Sequence, residues 1–553
     1  MTADSKADGT ARGTARSALG RRRFLGIAAG TGIAATTFGA AAYASLAGES
    51  TGRVLTSRCK PVPRFAVPLP VPPVARAARR ENGADVFEVE QREARIEIVP
   101  GLKTTVWGYD GIFPGPTFTG RSGEKMVVRV LNTLPVPTST HLHGGVTPPD
   151  SDGYPTDLVV PGALCGDKLR TAMSGHAMSG HAMSGKDMDT TRAPWHFSPG
   201  SKAYEYPLDQ RAATLWYHDH RMDFSAPQVW RGLAGFFLIH DDEEDRLPLP
   251  RGEKDIPLLL CDRAFEEDGE FRYPAKEPGC TGEPGVLDAY MDGVLGDVQL
   301  VNGAPWPVRD VTATRHRLRL LNGSNARRYR LALEPGPRQG VAFTQIGSDG
   351  GLLGRPQGHQ EIPLAPGERH DVIVDFAGYP PGTEVTLVNT LGEGRMREVM
   401  RFRVTRHERD DTRVPTRLSA VETLRETDAV QVRRFDFRRT AAEDEHAMWT
   451  VNGRPFSTTD VLARPRLGTV ERWRFTSDFH HPVHLHLAQF EVLSRDGKPP
   501  RATDVGWKDT VDVRPYEVVE VLARFAGHRG RYMVHCHNLE HEDMAMMANF
   551  EVV

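Results

Sequence analysis

The stretch Tyr532-Met533-Val534-His535-Cys536-His537-Asn538-Leu539-Glu540-His541-Glu542-Asp543, followed by a thioether at Met546, decides how this chain is read. In an extended strand successive side chains alternate faces, so the Cys536 sulfur points one way and the His535 and His537 rings the other. A thiolate, two imidazoles and a weak thioether form the donor set of a blue electron-transfer copper. Cys536, His541 and Met546 supply three of these donors, and His481 supplies the fourth. Zinc also accepts Cys and His, but a Met donor and eight further histidines in similar motifs favour copper. His535 and His537 then face a second metal site, so three consecutive residues connect two centres.

Six of those further histidines lie in His141-Leu142-His143-Gly144-Gly145, Trp216-Tyr217-His218-Asp219-His220 and His481-Pro482-Val483-His484-Leu485-His486. Each His-X-His places two imidazoles on one face of a strand, aimed at one point. A single such pair is an ordinary surface pattern. Four motifs that together hold ten of the 21 histidines form a constellation that chance does not supply. His480 precedes the third motif and is read as structural.

These motifs resemble the four copper signatures of the multicopper oxidases, most closely the branch of bacterial spore-coat laccase, bilirubin oxidase and phenoxazinone synthase. The match runs through His141-Leu-His-Gly-Gly-Val-Thr-Pro148 with Ser151-Asp152-Gly153, Leu215-Trp-Tyr-His-Asp-His220, Gly347-Ser-Asp-Gly-Gly-Leu-Leu353, Gly506-Trp-Lys-Asp-Thr510 and His535 to Asp543. It covers about residues 60 to 553, with interruptions. The resemblance implies an all-β fold of three cupredoxin-like Greek-key β-sandwich or barrel domains and four copper ions. His481, Cys536, His541 and axial Met546 match the type 1 copper, with His481 and His541 expected nearest the surface. His141 and His484 match the type 2 copper. His143, His218 and His537 match one type 3 copper, and His220, His486 and His535 the other.

The implied reaction takes electrons singly from a donor and uses four of them, with four protons, to reduce dioxygen to two waters. Asp152 and Glu542 match acidic positions implicated in oxygen reduction; each is either a proton relay or a carboxylate orienting a ligand ring. The donors implied are phenols, aromatic amines and bilirubin-like pigments. Competing readings are a cuprous or ferrous metallo-oxidase and a non-catalytic copper-sequestering protein.

Composition, 39% apolar and 25% charged, is that of a soluble globular protein. At 553 residues the chain suits two to four domains, and its formal charge of −3 gives no basic field for nucleic acid. Short strand-like runs such as Lys125–Leu131, Arg315–Leu321, Arg328–Leu333 and His370–Phe376 end at turn residues, as in sandwiches and barrels. Polar, charged runs at 241–250 and 406–416 divide the chain. The expected domains are 60–241, 254–405 and 428–553, the last carrying the type 1 copper, with the trinuclear cluster between the first and the last. Cys59, Cys165, Cys261 and Cys280 are too few for a disulfide scaffold and cannot be paired from sequence.

At the N-terminus, Gly20-Arg21-Arg22-Arg23-Phe24-Leu25-Gly26 resembles a twin-arginine motif, followed by an apolar run to Ala44. Residues 1–44 are read as a cleaved signal peptide for export of a folded, secreted or extracytoplasmic protein without a lasting membrane span. Within 171–190, Met173, Met178, Met183 and Met188 recur with His176 and His181 in a small, polar context. That repeat suits Cu(I) as donor or cargo, against the alternative of a neutral linker.

Overall fold

The computed structural model describes residues 51–162, 195–441 and 447–553. The twin-arginine segment, Cys165 and the Met/His repeat lie outside the described residues. Among the described residues the α-helices are short, Ser225–Trp230, Asp242–Asp245 and Leu539–Asp543. No helix among them is long and apolar enough to cross a membrane.

Strand alternation builds the first element expected from sequence. Met126–Asn132 buries Met126, Val128 and Val130 and exposes Arg129, as a half-buried strand should. Arg315–Asn322 departs from that pattern, being buried along nearly its whole length. It runs inside an eight-stranded sheet, parallel to Asp255–Phe265 and antiparallel to Arg369–Asp375. Arg317 and Arg319, which an alternating reading would place in solvent, are 3% and 1% exposed.

Their charges are met by the acidic run that the sequence marked only as a boundary. The Asp241 side chain caps the helix Asp242–Asp245 by accepting from Glu244 N–H. That turn delivers Glu244 to Arg317 at 2.6 Å and Arg319 at 3.3 Å. Asp255 accepts from Arg319 Nε at 2.8 Å, and Asp371 accepts from Arg317 Nε at 2.9 Å. Burial raises the Glu244 carboxyl, but hydrogen bonding to His240 and the two guanidiniums outweigh it and hold the group well below the usual carboxylate range.

Three pairs of sheets follow one another along the chain. In the first, Ser201–Tyr206, Met126–Asn132 and Ala84–Ile96 face Phe118–Arg121, Ala234–His240, Ala213–Asp219 and Thr140–His143, around Phe87, Val130, Tyr204 and Phe237. In the second, the eight-stranded sheet faces one built from Val308–Val311, Glu398–Val404, Glu384–Asn389, Tyr329–Glu334 and Ile362–Leu364. Leu318, Leu331, Val372 and Phe402 fill that core. In the third, Ala429–Ala441, Val470–Ser477, Val518–Arg524 and Gln489–Arg495 face Met547–Val552, Gly530–Cys536, His481–Leu485 and Thr510–Val513, around Trp473, Phe475, Val534 and Phe550.

Sheet register brings the four motifs together in two couples. Thr140–His143 lies antiparallel to Ala213–Asp219, with His141 opposite His218 and His143 opposite Trp216. His481–Leu485 lies antiparallel to Gly530–Cys536, with Val483 opposite Cys536 and His484 opposite His535. Asp543 bridges from the third sheet pair to the first: its carboxylate accepts from the N–H groups of Ser225 and Ala226 at 2.8 and 2.9 Å.

Candidate metal centre

All ten histidines singled out from sequence are at most 1% exposed. Their nitrogens, with Cys536 Sγ, gather into four triads whose donor atoms lie within 4.8 Å of one another: His141/His143/His484, His143/His218/His537, His220/His486/His535 and His481/Cys536/His541. The first three share rings or touch. His143 stacks on His484 at 3.6 Å and His141 on His486 at 3.8 Å, centroid to centroid. His141 Nε2 lies 3.4 Å from His484 Nε2, and His486 Nε2 3.1 Å from His535 Nε2.

Six of the rings are oriented by a partner on the far nitrogen. His141 Nδ1–H donates to the Asp152 carbonyl at 2.7 Å, His218 Nδ1–H to the Asp219 carbonyl at 2.9 Å, and His484 Nδ1–H to the Asp509 carbonyl at 2.9 Å. His535 Nδ1–H donates to the Cys536 carbonyl at 2.9 Å, and His486 Nδ1–H to Asp152 Oδ2 at 2.8 Å. For His143 the roles of the nitrogens reverse: Nε2–H donates to Asp509 Oδ1 at 3.0 Å and Nδ1 faces inward. Such tethers fix tautomer and aim, leaving one bare lone pair on each tethered ring.

The inward nitrogens have the chemistry a metal requires. His143 Nδ1, His218 Nε2 and both nitrogens of His537 are buried without a hydrogen-bond partner, a costly arrangement unless something else occupies the lone pairs. Burial first, and then the neighbouring imidazoles, hold His218, His220, His486 and His537 well below the usual histidine range. These rings are therefore neutral at physiological pH, which is the form that ligates.

Both candidate acids touch ligand rings. Asp152 is 1% exposed and spans His141 and His486, with Oδ1 3.2 Å from His141 Nδ1. Glu542, also 1% exposed, places Oε1 3.4 Å from His220 Nδ1 and Oε2 3.2 Å from His535 Nδ1.

A second network under the rings had no assigned role in the sequence reading. Arg369 grips Asp509 with two bonds of 2.6 Å, and Asp509 in turn holds His143. Thr510 Oγ1 lies 3.0 Å from His143 Nε2 and 3.1 Å from His484 Nδ1. Lys508 pairs with Asp349 at 3.0 Å and Glu368 at 3.3 Å. Two left-handed glycines leave room for this layer. A Cβ on Gly144 (φ +88°) would meet Arg369 and Asp509, and one on Gly367 (φ +84°) would meet the His143 and His537 rings. Asp349, Lys508 and Asp509 fall inside two segments that carried the resemblance; that match was the available signal.

The Cys536 seat is separate and compact. His481 Nδ1 and His541 Nδ1 lie 3.3 and 3.6 Å from Cys536 Sγ and 3.1 Å from each other. Asn538 N–H points at the sulfur from 3.3 Å, and Cys536 N–H donates to the Met546 carbonyl at 3.1 Å. Met546 is fully buried in the same apolar cluster as Cys536. Burial pushes the Cys536 thiol far up and favours its neutral form; a metal cation beside it would be what makes the thiolate the resting form.

His481 and His541, expected nearest the surface, are both fully buried beneath a cover of other side chains. Trp449 stacks on His541 at 3.8 Å, and the Asp292 carbonyl lies 3.2 Å from His541 Nε2. Arg439 pairs with Asp292 at 3.0 Å and lies 5.5 Å from the Trp449 ring centroid. The cover therefore comes from distant segments, which no local spacing could announce.

Neutral imidazoles with bare inward nitrogens and a His/Cys/His seat fit copper. Multicopper oxidase family models match residues 90–165 with 168–244, and 424–553. A laccase from Bacillus subtilis is 33% identical over 88% of this chain and 98% of its own length. A bilirubin oxidase from Albifimbria verrucaria is 33% identical over 88% of this chain and 81% of its own. The crystal structure of a laccase from Pediococcus acidilactici superposes with a TM-score of 0.73, 30% identity, and coverage of 90% and 96%. The three sheet pairs are accordingly those of an all-β, cupredoxin-like fold. With copper as cofactor, dioxygen as acceptor and a reducing substrate as donor, this oxidoreductase belongs to the multicopper oxidase family.

Proposed function

We propose that the protein is a laccase-type oxidase that couples one-electron oxidation of phenolic or aromatic amine donors to four-electron reduction of dioxygen to water. Each sheet pair forms one domain: 60–241, 254–405 and 428–553. His481, Cys536, His541 and Met546 would hold a type 1 copper, and His141 with His484 a type 2 copper. His143, His218 and His537, with His220, His486 and His535, would hold a type 3 pair, making four ions. Copper supplies single-electron exchange at the Cys536 seat and multi-electron reduction of dioxygen at the histidine cluster.

The observation that carries this reading is the adjacency of His535, Cys536 and His537, whose side chains sit in three different triads. Cys536 belongs to the donor-side seat, and its two neighbours belong to the oxygen-side cluster. Asp152 and Glu542 stand at the outer nitrogens of the rings, within reach of the cluster as a proton relay to reduced oxygen would need. Arg369 and Asp509 keep His143 aimed inward. Burial of the ligand rings excludes bulk water from the seats. Similarity to a laccase and a bilirubin oxidase supports electron-rich aromatic donors.

The Met/His repeat at 173–188 favours a second reading, cuprous oxidation in copper tolerance. The twin-arginine motif supports export of folded, copper-loaded protein to an extracytoplasmic space. One experiment separates the readings: turnover with Cu(I), a methoxyphenol and bilirubin, in the intact protein and after deletion of 173–188. Laccase function predicts brisk phenol oxidation that survives the deletion. Selective loss of cuprous oxidation supports the metallo-oxidase. Absence of dioxygen uptake with any donor in fully loaded protein supports sequestration.

A further inference from the structure

Away from the copper seats, a recess opens where the second and third sheet pairs meet. It is lined by Arg328 and Arg330 on one side and Arg495, Arg501 and Arg514 on the other, with Glu368, Asp504 and Asp512 between them. The space admits a small polar group and not an aromatic donor.

Most of the charge is matched. Arg495 engages Asp504 at 2.7 and 2.8 Å and Glu517 at 3.0 Å. Arg501 engages Glu517 at 2.9 Å, and Lys508 takes Glu368 with Asp349. Arg328 Nη2 donates to Asp512 Oδ2 at 2.5 Å. Three buried atoms are left without a partner: Arg328 Nη1, Arg514 Nε and Asp512 Oδ1. Arg514 makes no ion pair among the described residues. Burial, and then Arg501 with Arg328 nearby, lower its pKa below the ordinary arginine value. Water can satisfy a buried N–H, but it cannot offset the repulsion between crowded guanidiniums.

The unmatched atoms define a ligand. Two guanidinium N–H donors favour acceptor oxygens that carry negative charge. Asp512 Oδ1 is an acceptor and takes a donor, which on an oxyanion is a hydroxyl. We propose that this recess binds a protonated oxyanion, for which inorganic hydrogen phosphate is the simplest form. Sulfate would set a bare oxygen against Asp512, and chloride has no O–H to offer. The bound anion would tie Arg328, beside strand Tyr329–Glu334, to Asp512, which lies opposite Pro482 in the ladder next to His481.

The test is a titration of the purified, copper-loaded protein with sodium phosphate, sulfate or chloride at constant ionic strength, read by melting temperature and by calorimetry. Phosphate is expected to raise the melting temperature saturably. Its midpoint should lie at least about tenfold below that of sulfate, the scale of one charge-assisted hydrogen bond. Arg514→Gln, at the half-buried rim, should raise the phosphate midpoint about tenfold or more by the same reasoning while leaving the blue absorbance in place. Asp512→Asn should abolish the preference for phosphate over sulfate. Should Asp512→Asn fail to fold, the wild-type phosphate-to-sulfate ratio and Arg514→Gln still decide the matter. A response equal for all three salts, equal midpoints for phosphate and sulfate, or an Arg514→Gln midpoint unchanged from wild type would each overturn the proposal.

Discussion

The two copper seats differ in how the chain assembles them. The Cys536 seat groups His481, Cys536 and His541 within one sheet pair, and Cys536 sits with Met546 in that pair's apolar core. The histidine cluster takes His141, His143, His218 and His220 from the first sheet pair and His484, His486, His535 and His537 from the third. One seat forms within a single sheet pair. The other exists only when two sheet pairs, separated in sequence by a third, have met. The local seat has backbone contacts such as Cys536 to Met546, with Asp478 3.6 Å from His481 Nε2, whereas the shared cluster has Asp152, Glu542 and Asp509 against its rings.

Substitutions can break that contrast, beginning with the largest effect. Cys536→Ser should remove the blue absorbance and bring donor oxidation to background. The histidine cluster should keep its copper, so metal analysis should show a loss near one ion per molecule. A blue Cys536→Ser protein would refute the assignment.

Arg369→Met strikes the shared cluster alone. It leaves Asp509 and Asp349 buried without their guanidinium, a loss of about 3–5 kcal/mol by the usual cost of breaking a buried pair. Denaturant unfolding should show that loss, and the blue band should persist in the folded fraction.

Asp152→Asn and Glu542→Gln should retain colour and lower turnover by about 10–100-fold, the usual scale for groups that position ligand rings. A relay role adds a shift of the pH–rate profile, which a purely structural role would not produce. Wild-type turnover in both variants would remove the two acids from the mechanism.

Glu520, in the third sheet pair but outside both seats, supplies the smallest effect. Burial raises its pKa, but hydrogen bonds from Arg472, Arg474 and Ser494 outweigh it and hold the carboxyl at about 2 against an ordinary 4.5. Its folded-state pKa is depressed, so its stabilisation is present above pH 4.5 and is lost as pH falls toward 2. Glu520→Gln should therefore cost under about 1 kcal/mol near neutrality, after solvent screening. The gap from wild type should close in acid melts.

The ease of reading these regions from sequence follows the same contrast. His-X-His spacing and the Cys536 neighbourhood are local, so every proposed ligand could be numbered before any coordinates, and strands such as Met126–Asn132 followed from alternation. The Arg369–Asp509 grip joins residues 140 positions apart, and the cover over His541 comes from Asp292, 249 positions away. Such pairs leave no periodic trace. Arg317 and Arg319 misled for a related reason: alternation assumes one wet face, and their counter-charges arrive from the capped turn at Asp241.

Deep enclosure of the ligand rings also has a kinetic meaning. With all ten imidazoles at most 1% exposed, an ion can leave only when strands part, so its residence time follows the rate of local opening and not its affinity alone. Chelators should strip the folded protein slowly and the partly unfolded protein fast. Copper content thus becomes a record of the conditions under which each molecule closed, preserved long after the surrounding concentration of metal has changed.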